Sequence, residues 1–139
     1  LCGNYRKMNQ LFSKFINMKI LTQEEILNLS VALALEWGQN WNRPIQERLA
    51  KKLPSLSNTE LDELNGKSKE VLSAGFEVLR ATLEKLTDKG ETISEQVLKM
   101  YFERELTTLY PWISHGNIKS IYDQGRYYSW KDGLGECVK

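Results

Sequence analysis

Between Ser57 and Gly90 the chain places apolar or small residues at intervals of three and four without a break: Leu61, Leu64, Ser68, Val71, Leu72, Gly75, Phe76, Leu79, Leu83 and Leu86. Only a helix of about 3.6 residues per turn gathers such positions onto one face. Ser57-Asn58-Thr59-Glu60 supplies a capping box at the start, and Lys89-Gly90 a cationic last turn and a glycine C-cap at the end. A stripe running through about seven turns has to be covered along its length, so the rest of the chain is expected to pack around it.

The flanking segments repeat the helical period. Tyr5, Met8, Leu11, Phe12, Phe15 and Ile16 lie on one face of a helix expected to stop near Met18. Thr22-Gln23-Glu24-Glu25 is a second capping box, opening a helix whose stripe of Ile26, Leu29, Leu33 and Trp37 continues to Trp41. Asn42 reads as the cap of a short helix from about Arg43 to Leu53, carrying Ile45, Leu49 and Leu53 inward with Pro44 tolerated in its first turn. Ser94 caps a further helix with Val97, Met100, Tyr101, Leu106 and Leu109 apolar, broken by Tyr110-Pro111. A last helix begins near Ser114 and carries Ile118, Ile121, Tyr122 and Gly125 toward Trp130, ending at Asp132-Gly133. No strand alternation, linker or solenoid repeat interrupts this pattern. The expectation is an all-α fold, a single-domain bundle of five or six helices packed around a long central helix of about residues 58–89, with residues 1–139 as one domain.

Several chemistries are excluded by counting. Nineteen Lys and Arg against 18 Asp and Glu leave a net charge of +1, which generates no field to draw nucleic acid, and Asp123 and Asp132 dilute Lys119, Arg126 and Lys131 on the last helix. The longest apolar runs, such as Val31 to Leu35, are too short to span a bilayer. One His and two Cys at opposite ends of the chain provide neither a zinc site nor a paired Glu-x-x-His di-iron site. Neither a phosphate-binding G-x-x-x-x-G-K-[ST] loop nor a dinucleotide turn occurs. No metal or cofactor is therefore expected. Cys2 and Cys137 read as two free thiols of a cytoplasmic protein, with a bridge open only if the termini meet; the oligomeric state is not set by the sequence.

Two patches combine aromatic and polar residues. The first runs from Glu36 to Pro44 with Trp37, Trp41 and Arg43; the second comprises Tyr110-Pro111-Trp112 and the segment from Tyr122 to Trp130, with Arg126, Tyr127 and Tyr128. They hold all four Trp and four of the six Tyr. Trp, Tyr and Arg dominate the energetic centres of interfaces. The plainer account is that Trp37 and Trp41, at i and i+4, belong to a core stripe, because large rings commonly close the end of a bundle. It does not serve for Tyr127, Tyr128 and Trp130, since three aromatics in four residues cannot all face one core, and at least one is expected to be exposed.

The candidate binding surface is accordingly Trp37, Trp41, Arg43, Trp112, Tyr122, Arg126, Tyr127, Tyr128 and Trp130, and the favoured function a small soluble protein-interaction domain of adaptor, regulatory or inhibitor type, taking a protein or peptide. The alternative is a small enzyme or ligand-binding protein with a pocket near Glu36, His115, Asp123 and Arg126, the first three as acid or base and the last holding an anion. Ser114-His115 reads more simply as a helix cap followed by an exposed histidine.

Overall fold

A computed structural model describes residues 20–139. The stripe from Tyr5 to Ile16, and Cys2, lie outside these residues. Among the described residues five α-helices follow one another: α1 (Gln23–Ala34), α2 (Gln46–Lys52), α3 (Asn58–Lys89), α4 (Glu95–Leu109) and α5 (His115–Lys131), with a 3₁₀ turn at Gly38–Asn40 between α1 and α2. The fold is all-helical, with α3 as its axis, touching each of the other helices.

Local chemistry sets the helix starts. Ser57 accepts a hydrogen bond from the Glu60 amide at 3.1 Å while the Glu60 carboxylate accepts from the Ser57 amide at 2.8 Å, closing the capping box. Thr22, Ser94 and Ser114 each accept from the amide three residues on. Gly90 ends α3 in the left-handed conformation at φ 65°, where a glycine carries no Cβ penalty.

At 32 residues α3 extends about 48 Å and joins two apolar clusters. Leu61 and Leu64 near its start pack with Leu33 of α1, Leu49 of α2 and Ile45, which immediately precedes α2. Val71, Leu79 and Leu83 pack with Leu98, Phe102 and Leu106 of α4 and with Ile118, Ile121 and Tyr122 of α5. After α5 the tail returns to the α3–α4 loop: the Ile93 amide donates to the Cys137 carbonyl and the Lys139 amide to the Ile93 carbonyl, both at 2.9 Å. Cys137 is a buried free thiol.

Three expectations are corrected. The second periodic segment does not stay helical to Trp41: α1 stops at Ala34, Trp37 is extended, and Gly38 turns the chain at φ 82°. Glycine has poor helix propensity and free access to positive φ, so the chain turns at Gly38 instead of resuming the helix. Asn42 is no helix cap: it occupies the left-handed region at φ 60°, and α2 starts at Gln46, two residues after Pro44. On α4 the core face is Leu98, Phe102 and Leu106, whereas Val97, Met100 and Leu109 point outward. Apolar residues populate both sides of this helix, and the residues at i, i+4 and i+8 are those that meet α3 and α5.

Candidate binding surface

The break after α1 and the last turns of α5 bring two aromatic segments together. Trp37 and Trp41 stack with ring centroids 5.1 Å apart and planes 27° from parallel. Tyr128 stacks on Trp41 at 5.9 Å and meets Phe76 of α3 edge-on at 5.8 Å. Tyr127 presents its ring perpendicular to Trp37 at 6.1 Å, and Trp130 follows at 6.3 Å from Tyr127. The stacked and edge-to-face contacts are favourable arrangements for aromatic quadrupoles, while Trp130 is tilted 36° from Tyr127. Rings from three elements so form one ridge, with Phe76 and Tyr128 half-buried at its base and Trp37, Tyr127 and Trp130 respectively 56%, 46% and 67% exposed.

The ridge is braced from beneath. Gln124, buried on α5, donates its Nε2 to the Leu35 carbonyl at the end of α1 at 2.8 Å. Arg48 of α2 holds the turn that follows: its Nη1 donates to the Leu33 carbonyl and to Glu36 Oε2, each at 2.7 Å, and its Nη2 to the Arg43 carbonyl at 3.3 Å. Asn40 donates to the same Glu36 oxygen at 2.9 Å. The forked guanidinium suits such a role because it reaches several acceptors at fixed angles. Behind the ridge, α5 approaches α3 closely at Gly125, where a Cβ would stand 2.5 Å from Leu79 Cδ1 and 3.3 Å from Phe76 Cδ1.

Two grooves flank Trp41. One, of about 250 Å³, lies between the segment carrying Trp41, Asn42 and Arg43 and the Asn65, Lys69, Leu72 and Phe76 face of α3. The other, about 430 Å³, lies between Trp41, Phe76 and Arg80 on one side and Gly125, Tyr128 and Asp132 on the other.

Three residues expected at this surface are elsewhere. Trp112 packs on Tyr110 at 5.8 Å in the α4–α5 loop. Its carbonyl accepts from Asn28 Nδ2 at 2.8 Å, the Ser114 amide donates to Asn28 Oδ1 at 2.8 Å, and Asn117 Nδ2 donates to the Asn28 carbonyl at 2.9 Å, so this loop is tied to α1. Tyr122 is buried, with its hydroxyl donating to Glu95 Oε1 at 2.5 Å, and Arg126 pairs with Glu95 Oε2 at 3.1 Å. Burial pushes the Tyr122 hydroxyl pKa up and the Glu95 carboxylate adds to the rise. For Glu95 burial acts upward, but hydrogen bonds from Arg126 and Tyr122 outweigh it and hold the carboxyl below its usual value. The trio clamps α4 to α5.

Glu36, His115, Asp123 and Arg126 are not brought into one pocket. Each faces a different partner: Glu36 faces Arg48 at 2.7 Å, His115 faces Glu103 at 2.6 Å, Asp123 faces Lys119 at 2.7 Å and Arg126 faces Glu95. His115 is exposed beside the Ser114 cap. Among the described residues no group of three or more His, Cys, Asp or Glu stands close enough to hold a metal, and no helix is long and apolar enough to cross a membrane.

Sequence reasoning missed Phe76 as the base of the ridge, Arg48 as its brace, and Lys69 and Asn65 as a groove wall. Phe76 carried a signal, since it lies on the edge of the α3 stripe; Arg48 and Lys69 carried none, because their roles depend on contacts between helices. No protein-family model matches the chain, and no characterised protein or solved structure shows significant similarity to it.

Proposed function

We propose that the chain is a small helical protein-interaction domain that docks a peptide segment or partner surface on the ridge formed by Trp37, Trp41, Tyr127, Tyr128 and Trp130. The observation that carries this reading is the exposure of Trp37, Tyr127 and Trp130 together on rings that contact one another. Scattered exposed apolar residues are ordinary, but a contiguous set of large rings is the surface type that partner binding dries. Contacts among the rings before binding reduce the ordering cost of association.

The test is cross-linking capture in three arms: the native protein, a Trp37→Ala/Trp130→Ala variant, and a Met100→Ala/Leu109→Ala variant on the outer face of α4. A partner held by the native and α4 variants and lost by the ridge variant supports the reading. A partner retained by the ridge variant overturns it. Sedimentation of the native protein over a range of concentrations accompanies the capture, and self-association abolished by the ridge variant would make the occupant a second copy instead.

A further inference from the structure

Resting on that interaction reading, we propose that the groove beside Trp41 takes an acidic residue of the bound peptide, with the peptide's neighbouring apolar side chain seated on Leu72 and Phe76. The argument is one of charge complementarity. Arg43 enters the groove from the loop and Lys69 from α3, and no carboxylate lines it. Among the described residues neither cation is engaged in an ion pair; other surface lysines, such as Lys52, Lys85 and Lys99, are equally unpaired, but Arg43 and Lys69 are two that line the same groove. The groove on the other side of Trp41 differs, because its Arg80 is held by Glu77 and Glu84 and Asp132 lies in its wall.

The polar fittings of the groove point the same way. Asn65 uses its Oδ1 to accept from the Ile45 amide at 3.1 Å, which fixes the loop against α3. Arg48 holds the Arg43 carbonyl, and Asn42 sets the loop direction from the left-handed region. A carboxylate entering a groove that carries these two cations would gain charge-assisted hydrogen bonds from them. The apolar floor meanwhile supplies contact area that a free small anion would not use. The ligand class is therefore an acidic peptide in which Asp or Glu stands next to a large apolar residue, its remaining side chains lying on the ridge.

The probe is a phage-displayed library of random dodecapeptides selected on the whole chain. Enriched sequences are then measured as synthetic peptides by fluorescence polarisation against the native protein, Arg43→Gln/Lys69→Gln and Trp37→Ala/Trp130→Ala. The expected result is enrichment of Asp or Glu beside Leu, Ile, Phe or Trp, with affinity about tenfold or more weaker for Arg43→Gln/Lys69→Gln and falling as salt is raised. Both altered side chains are exposed, so the variant should melt with the native protein. Enrichment of neutral or basic peptides, or undiminished binding to the Gln variant, overturns the groove. In that case loss of binding on Trp37→Ala/Trp130→Ala alone leaves the ridge reading standing, and undiminished binding there removes both. A library that yields no binder also overturns the groove, and the cross-linking arms above then judge the ridge independently.

Discussion

Gly75 of α3 lies against Ile121 of α5 so closely that a Cβ on the glycine would stand 2.5 Å from Ile121 Cγ2. Ile121 is fully buried and its Cγ2 sits on a branched Cβ, so it cannot swing aside. Gly75→Ala is expected to destabilise the fold by about 1–3 kcal/mol through overpacking, even though alanine is the better helix former. Denaturant unfolding measures this, and an unchanged midpoint would show that the crossing of α3 and α5 is looser than described.

Removing the brace should loosen the ridge before it unfolds the bundle. Arg48→Ala deletes the donors to Leu33, Glu36 and Arg43, and a loss of about 2 kcal/mol is expected from partly buried charge-assisted bonds. Amide exchange should accelerate from residue 36 to residue 43 while α4 stays protected. Arg48→Lys should recover only part of the loss, because an ammonium lacks the fork. Uniform acceleration across all helices would contradict the local role.

The Glu95 clamp carries a pH dependence of definite sign. Its carboxyl is held below its usual value in the folded state, so the contribution is present above the unfolded value of about 4.3 and is lost as pH falls through the lower folded value. Glu95→Gln should cost about 1 kcal/mol or less near neutrality, since the carboxylate is 44% exposed and screened. The difference between the two proteins should shrink in acid. A gap that stays constant down to the lowest accessible pH would remove the ion pair as its cause.

Asn117 is buried, and its Nδ2 donates to both the carbonyl and Oδ1 of Asn28, at 2.9 and 3.0 Å. Asn117→Ala removes this donor from the half-buried Asn28 carbonyl and side-chain oxygen, with an expected loss of about 1 kcal/mol. Asn117→Asp tests the same geometry by replacing the donor with an acceptor, and should be no milder. Calorimetric melting of both variants reads the effect, and native-like melting of either would mean that this link between α1 and α5 is dispensable.

Most signals contained within four residues were legible, Asn42 being the exception. The caps at Thr22, Ser57, Ser94 and Ser114 appear where the sequence put them, because a cap needs only its own turn. The α3 stripe was legible for the same reason, repeated along one helix. Spacing misled where two structures share it: Trp37 and Trp41 do meet, as i and i+4 residues of a helix would, but across a 3₁₀ turn. On α4 the apolar composition of both faces hid which one turned inward. Pairings such as Glu95 with Arg126, or Glu36 with Arg48, depend on how helices are laid side by side, and neither residue announces its partner in the chain. The site was legible to the extent that its residues were aromatic. Trp112 and Tyr122 are aromatic too, and Arg126 lies in the same segment, but none joins that surface: Trp112 packs on Tyr110 while Asn28 of α1 holds its carbonyl, and Glu95 of α4 holds Tyr122 and Arg126.

The stacked Trp37–Trp41 pair also has a spectroscopic consequence. Two indoles 5.1 Å apart and inclined by 27° couple their electronic transitions. The coupled pair contributes an exciton couplet to the far-ultraviolet circular dichroism, overlapping the region from which helix content is read. The native spectrum will therefore misstate the helicity, and replacing either indole will change the signal without unwinding a turn. The same couplet provides a label-free reporter: a ligand that separates the two rings will announce itself as a change in band shape rather than in intensity alone.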